Sequence, residues 1–256
     1  MNQNHFHQKL SDGEIVLGCA VGMAHPIAVE AAGYAGFDFV FLDTEHSALE
    51  ISAIEPMILA ARASGVAAIY RLHHLDAPLI GRALDIGADG ILVPHVKSAD
   101  HARAVVEAAR YAPLGRRGIG PGRPIRFGLS DAHAYMSQAN DRTVVAVMIE
   151  DEEAVDDIEA IAAVDGIDVF NVGTWDLSNS LGVRLETRHP KVLAAIRRII
   201  DAATAHGIAV GVPPDRPEEV PQLVQLGCRF FESCSAQGVL ANGLQDIVKR
   251  SREALA

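Results

Sequence analysis

The chain has 256 residues, 49% of them hydrophobic, and a formal net charge of -11. It is long enough to bury a sizeable core and too apolar for a disordered chain, and its acidic balance disfavours a nucleic-acid partner, which would need a basic face. No apolar run reaches the roughly 18 residues needed to span a bilayer. The opening MNQNHFHQKLSDGE lacks the apolar stretch of a secretory signal. Cys19, Cys228 and Cys234 lack metal-ligand spacing and fit a reducing compartment, so a cytoplasmic location is expected.

In chain order, short apolar runs read as strands: IVLGCAV (15–21), FDFVFLD (37–43), VAAIYR (66–71), DGILVP (89–94), TVVAVMIE (143–150), IDVFNVG (167–173), IAVGVP (208–213) and CRFFES (228–233). Most are continuous rather than alternating, as strands covered on both faces should be. Helical spacing fills the intervals, and several helices stop at a glycine just before the next strand: Gly36, Gly65, Gly87, Gly207 and Gly227. The alternation predicts one domain over residues 1–256, an α/β protein of the (β/α)8 TIM-barrel type, with a doubly wound open sheet as the rival. The long interruption at 111–142, rich in Arg and Gly, is expected near the barrel mouth or a subunit interface. The last segment, GVLANGLQDIVKRSREALA, reads as an amphipathic helix that covers the barrel or reaches a neighbouring subunit.

In a barrel of this kind the C-terminal strand ends gather at one mouth. The groups that fall there are Asp43, Glu45 and His46 of DTEH, Arg71, Glu150, and Asp176 just beyond GIDVFNVGTW. Carboxylates, a histidine and an arginine at one mouth suggest a divalent metal, a base and an anion clamp. The Schiff-base alternative needs a lysine on a strand facing the mouth. The lysines are Lys9, Lys97, Lys191 and Lys249; three fall in terminal or helical patterns, and Lys97 follows the fourth strand in PHVKSAD, where a helix is expected to start.

The motifs FDFVFLDTEHS, YRLHHLD, LDIGADGILVPHV, YAPLGRRGIG, VVAVMIED, VDGIDVFNVGTWDLSNSLG and LGCRFFE, taken together over residues 15–235, resemble the HpcH/HpaI aldolase family of metal-dependent (class II) pyruvate aldolases. The resemblance implies a modified (β/α)8 barrel, an exchanged C-terminal helix and a homo-oligomer, commonly a hexamer. It implies that Glu150 and Asp176 are metal ligands and His46 the base, with Asp43 orienting that histidine. It also implies that Arg71 holds the keto-acid oxygens and that the turn Gly173, Thr174, Trp175, Asp176 receives the pyruvate carboxylate. The expected activity is reversible cleavage of a 4-hydroxy-2-oxo acid to pyruvate and an aldehyde, through a pyruvate enolate stabilised by a divalent cation acting as Lewis acid. Oxygen ligands suit Mg²⁺, Mn²⁺ or Co²⁺ alike. The acceptor stays open among succinic semialdehyde, tartronate semialdehyde, lactaldehyde and their kin. Two rival readings stand beside it: an acyl-CoA lyase of the malyl or citryl type, and a catalytically inactive ligand-binding barrel.

Three positions depart from the family pattern, Met148, Thr174 and Trp175, and Thr174 restores an N–H where proline is usual. Met148 stands where a glutamine is usual, and a thioether cannot donate a hydrogen bond. Trp175, the single tryptophan, replaces a small residue and is expected to narrow the acceptor pocket or stack on substrate. Among the remaining charges, Glu45 has Arg71, Arg116 or solvent as its expected partner. Arg116 and Arg117 are expected to meet an acidic substrate or a neighbouring subunit, while Asp151 is expected to do no more than open a helix.

Overall fold

The computed structural model describes residues 4–255. Eight parallel strands close into a barrel in the order β1 to β8, which settles the choice against an open sheet. The strands are β1 (Val16–Val21), β2 (Phe39–Asp43), β3 (Ala67–Arg71), β4 (Gly90–Val93), β5 (Val144–Ile149), β6 (Val169–Val172), β7 (Ala209–Gly211) and β8 (Phe230–Ser235). Helix α1 (Asn4–Ser11) precedes the barrel, and α2 (Pro26–Ala35), α3 (Ile51–Ser64), α4 (Ala77–Asp85) and α5 (Ala99–Ala109) follow the first four strands. A 3₁₀ segment (Arg123–Gly128) and α6 (Ala132–Ala139) lead into β5. Then come α7 (Glu152–Asp156), α8 (Ile158–Ala162), α9 (Thr174–Ser180), α10 (Pro190–Ala205), α11 (Val220–Leu226) and α12 (Ala236–Glu253). No described helix is long and apolar enough to cross a membrane.

The apolar runs are continuous because outward residues pack under the helices while inward ones fill the lumen. The inward set includes Val16, Phe39, Phe41, Ala67, Ile69, Leu92, Val144, Ala146, Met148, Val169 and Phe230. Phe39 and Phe230 stack with centroids 4.3 Å apart, and Phe6 of α1 tilts onto Phe39 at 5.4 Å, closing the N-terminal end of the lumen. Each buried phenylalanine contributes about 2–3 kcal/mol by area. Gly18 makes room for this stack, since a Cβ there would lie 2.1 Å from the Phe39 ring.

Of the two places expected for the segment after α5, the mouth is excluded. A helix that follows a strand runs back to the N-terminal face, so 111–142 lies at the end opposite the mouth. Arg117 is buried there, with Nη2 2.8 Å from Asp85 Oδ1 and its guanidinium 4.7 Å from the Tyr111 ring centroid. It is a packing residue and meets no substrate at the mouth. Arg116 is exposed beside Glu107 at 3.8 Å, on the same end.

Candidate active site

Inward alternation decides which side chains reach the mouth. On β2 the set Phe39, Phe41 continues to Asp43; on β3, Ala67, Ile69 continues to Arg71; on β5, Val144, Ala146, Met148 continues to Glu150. Asp43 and Arg71 are paired in register across β2 and β3, so their meeting follows from the sheet itself. Arg71 donates from Nε to Asp43 Oδ1 at 2.8 Å and from Nη2 to Oδ2 at 2.6 Å, a two-pronged pair. Both residues are buried.

Asp43 Oδ1 also accepts the backbone N–H of Glu45 at 3.0 Å and of His46 at 3.2 Å, which folds the DTEH turn around the carboxylate. Burial alone would raise the Asp43 carboxyl. The Arg71 fork and the two N–H donors outweigh it and hold its pKa below the usual carboxylate value. In place of the expected Asp43–imidazole contact, Asp43 accepts from the His46 backbone N–H and from Arg71. His46, 63% exposed at the rim, has its Nε2 3.7 Å from Glu45 Oε2.

Glu45 turns inward. Its side chain is 10% exposed, with Oε2 3.6 Å from Arg71 Nη1 and Oε1 3.8 Å from His95 Nε2. Burial raises its pKa despite the nearby Arg71, His46 and His95. Of its three expected surroundings, Arg71 is the one observed; Arg116 lies at the other end of the barrel.

Glu150 is as enclosed as Asp43. It is 2% exposed, and its Oε1 accepts the His95 backbone N–H at 2.8 Å. Gly173 begins the next turn against it: a Cβ at 173 would lie 2.1 Å from Glu150 Oε2, so only glycine fits. Burial pushes the Glu150 carboxyl up to about 7. The His95 N–H and ring oppose the rise, and the charges of Glu45 and Asp176 add to it. Asp176 sits in the first turn of α9, exposed, next to Trp175, which is 68% exposed on the rim. Thr174 is half-buried at the start of the same helix.

Three mouth residues were weakly signalled or missed. His95 follows β4 with φ of 52°, a left-handed conformation that non-glycine residues seldom adopt and that recurs at functional sites. Its Nδ1 lies 3.0 Å from Asp151 Oδ2 and 3.5 Å from Glu150 Oε1. Asp151, expected only to open α7, makes no capping bond there and instead holds His95 and Lys97 Nζ, the latter at 3.0 Å. That bond raises the Lys97 pKa, the opposite of what an amine nucleophile needs, and disfavours a Schiff base. Glu232 of β8 is partly exposed, and Arg71, Asp43 and His46 are near enough to influence its charge. Its signal in sequence was the inward alternation from Phe230.

Glu45, His95 and Glu150 offer donor atoms within 4.8 Å of one another, a group that could hold a metal ion. The donor chemistry fits a divalent cation. Glu150 is a buried carboxylate crowded by two like charges, and Glu45 Oε2 is buried without a hydrogen-bond donor. A hard cation is the natural counterpart of such oxygens. One layer below, Met148 pairs in register with Asn171, whose Oδ1 is buried with no donor. The thioether supplies none.

The sequence pattern of the HpcH/HpaI aldolase/citrate lyase family matches residues 17–237. A 5-keto-4-deoxy-D-glucarate aldolase of Shigella boydii is 33% identical over 246 residues, 95% of each chain. The crystal structure of an HpcH/HpaI aldolase from Desulfitobacterium hafniense is similar at 31% identity and a TM-score of 0.86, over 94% of this chain and 95% of that one. The citrate synthase SbnG is similar at 31% identity and a TM-score of 0.90, over 99% of both.

Proposed function

Since the chain belongs to the HpcH/HpaI aldolase/citrate lyase family, a family of carbon–carbon lyases, we propose that it is a divalent-metal-dependent aldolase of one barrel domain that cleaves a 4-hydroxy-2-oxo acid reversibly to pyruvate and an aldehyde. The observation that carries this reading is the mouth itself: a fixed guanidinium, Arg71, beside buried carboxylates whose charge the protein leaves largely uncompensated. Glu150 and Asp176 hold the cation, with Glu45 facing it; Mg²⁺, Mn²⁺ and Co²⁺ all suit these oxygens. The bound cation supplies Lewis acidity toward the 2-oxo acid.

The remaining steps belong to the chain's own groups. Asp43 occupies Nε and Nη2 of Arg71, which leaves Nη1 to donate to the keto-acid oxygens and to favour negative charge as it develops there. The turn Gly173 to Asp176 receives the substrate carboxylate. His46, at the rim, takes the proton of the C4 hydroxyl as the C3–C4 bond breaks and its electron pair passes to the enolate. C3 of the enolate then takes a proton from solvent to give pyruvate. In the condensation direction C3 loses that proton and His46 returns its own to the new C4 oxygen. Glu45 takes over the orienting role first expected of Asp43, being 3.7 Å from the His46 ring. Trp175 borders the aldehyde end. The named relative favours a hydroxylated dicarboxylic acid of the 5-keto-4-deoxy-D-glucarate type as substrate.

The protein assembles as a hexamer in the cytoplasm. Support for the location comes from three free cysteines, and for assembly from α12, none of whose residues is buried. Ile15 and Leu17, at and before β1, are also exposed on the outside of the barrel, where a partner's α12 would lie.

The deciding assay is pyruvate release across a panel of 4-hydroxy-2-oxo acids with EDTA, Mg²⁺, Mn²⁺ or Co²⁺. Activity is expected to vanish with EDTA, return with metal, and fall at least about a hundredfold in Glu150→Gln. A folded protein with no metal-dependent release from any substrate would overturn the proposal.

A further inference from the structure

β1 and β8 close the barrel through an irregular pairing. Gly18 is partnered by Glu232, but the next residue, Cys19, is partnered by Cys234. β8 therefore carries one extra residue, Ser233, at a bulge. Counted from the inward Phe230, strict alternation would aim Cys234 into the lumen. The bulge turns it to the outer layer instead, where it packs against the cluster that contains Cys19 and Val21. Two thiols from opposite ends of the chain thus lie side by side on one face of neighbouring strands.

Neighbouring strands lie about 4.7–4.9 Å apart, within the roughly 4.4–6.8 Å between Cα atoms that a disulfide spans. A bond between these sulfurs asks for side-chain rotation rather than strand movement. The Cys19 thiol has two acceptors in reach, the Ala20 carbonyl oxygen at 3.6 Å and the Cys234 sulfur. Donation to Cys234 favours its thiolate and brings that thiol down to about 7, against burial and the charge of Glu232. The same bond, with burial, pushes the Cys19 thiol up. Cys234 is partly exposed and Cys19 is buried behind it. An accessible thiolate backed by a second thiol is the arrangement of a reactive dithiol. Cys228 is the contrast: it is fully buried, and burial pushes its thiol up to about 11.

We infer that Cys19 and Cys234 form a redox-reactive site, separate from the mouth, whose substrate is a hydroperoxide small enough to reach a half-buried sulfur. With hydrogen peroxide, the Cys234 thiolate attacks one oxygen. An S–O bond forms, the O–O bond breaks, and the departing hydroxide takes a proton from solvent to become water. The Cys19 sulfur then attacks the Cys234 sulfur. The S–S bond forms, the S–O bond breaks, and hydroxide leaves with the Cys19 proton as a second water. Two thiols give one disulfide, and their two electrons reduce the peroxide. A thiol reductant reverses the bond by exchange. The disulfide forms next to Ser235, whose hydroxyl caps α12 by accepting the Gly238 N–H at 3.2 Å. Oxidation therefore ties β1 to the strand from which α12 leaves.

The test treats the reduced full chain, in EDTA, with hydrogen peroxide, then counts thiols under denaturing conditions and maps the peptides by mass. Two of the three thiols should be lost, with a mass decrease of two hydrogens and a cross-linked peptide pair joining Cys19 to Cys234, all reversed by dithiothreitol. In Cys19→Ser the reaction should stop at a sulfenic acid on Cys234, which dimedone traps. Cys234→Ser should slow thiol loss about tenfold or more. Cys228→Ser should leave the cross-link unchanged. Three thiols remaining in the folded wild-type protein, cross-links between chains only, or oxidation of Cys228 as fast as of Cys234 would each overturn the inference.

Discussion

Glu150 carries the sharpest residue-scale consequence. Its carboxyl is raised from 4.5 to about 7 in the metal-free protein, so the folded state holds this proton more tightly than the unfolded chain does. Its stabilising contribution is therefore full below about pH 4.5 and lost as the pH rises through about 7. The urea midpoint of the metal-free protein is expected to fall over that window by more than that of Glu150→Gln. Metal binding runs the other way, because the cation takes the carboxylate: affinity should rise between about pH 6 and 8 in the wild type and lose that dependence in Glu150→Gln. Asp176→Asn should weaken metal binding at least about tenfold, whereas His95→Asn should change it little. Asparagine tolerates the left-handed backbone and keeps the N–H that Glu150 accepts. The reverse ranking, measured by metal titration, would move the ligand set to Glu45, His95 and Glu150. Trp175→Ala should change the ratio of kcat/KM between a small and a polyhydroxy aldehyde by about fivefold or more. An unchanged ratio would remove Trp175 from the acceptor pocket.

At the scale of elements, the N-terminal end of the barrel is built on a repeated Gly-x-Asp entry to the even strands. Gly36, Gly87 and Gly166 have φ of 96°, 102° and 100°, turning the chain from helix to strand. Two residues on, Asp38, Asp89 and Asp168 each accept a backbone N–H from the preceding odd strand, at Leu17, Ala68 and Val145. At the fourth even strand Gly227 keeps the turn with φ of 109°, but Arg229 replaces the aspartate and donates to carbonyls of Val224 and Cys228. Asp168 also binds the buried Arg110 at 2.7 Å. Asp168→Ala would leave that guanidinium without its counter-ion and the Val145 N–H without an acceptor, for a loss of about 3–5 kcal/mol. Urea unfolding checks this; a loss within about 0.5 kcal/mol would mean that water replaces the carboxylate fully.

At the scale of the whole molecule, α12 is the unfinished part. Leu240, Leu244, Ile247 and Val248 are each about half exposed, at helical spacing along one apolar stripe. A soluble monomer seldom leaves such a face open, and an eighth covering helix taken from a partner would close it. Leu244→Glu with Ile247→Glu is expected to convert the assembly to smaller species in light scattering after size exclusion, with the barrel still folded by circular dichroism. An unchanged mass would rule this stripe out as the interface.

The eight strands were legible from sequence to within two or three residues, because a strand covered on both faces needs a continuous apolar run and that requirement is local. Asp43, Arg71 and Glu150 were legible for the same reason, as polar groups that close such runs. Their partners were not. Asp43 takes Arg71 rather than the His46 ring because β2 and β3 pair in that register. Arg117 lies with Asp85 at the far end because α5 carries the chain back there before 111–142 begins. Glu45, His95 and Glu150 converge from three separate strand ends, and no spacing along the chain encodes that meeting. One-dimensional patterning carried Asp43, Arg71 and Glu150 to the mouth. Barrel closure, which sets register and inward alternation around the whole circle, decided which of them touch.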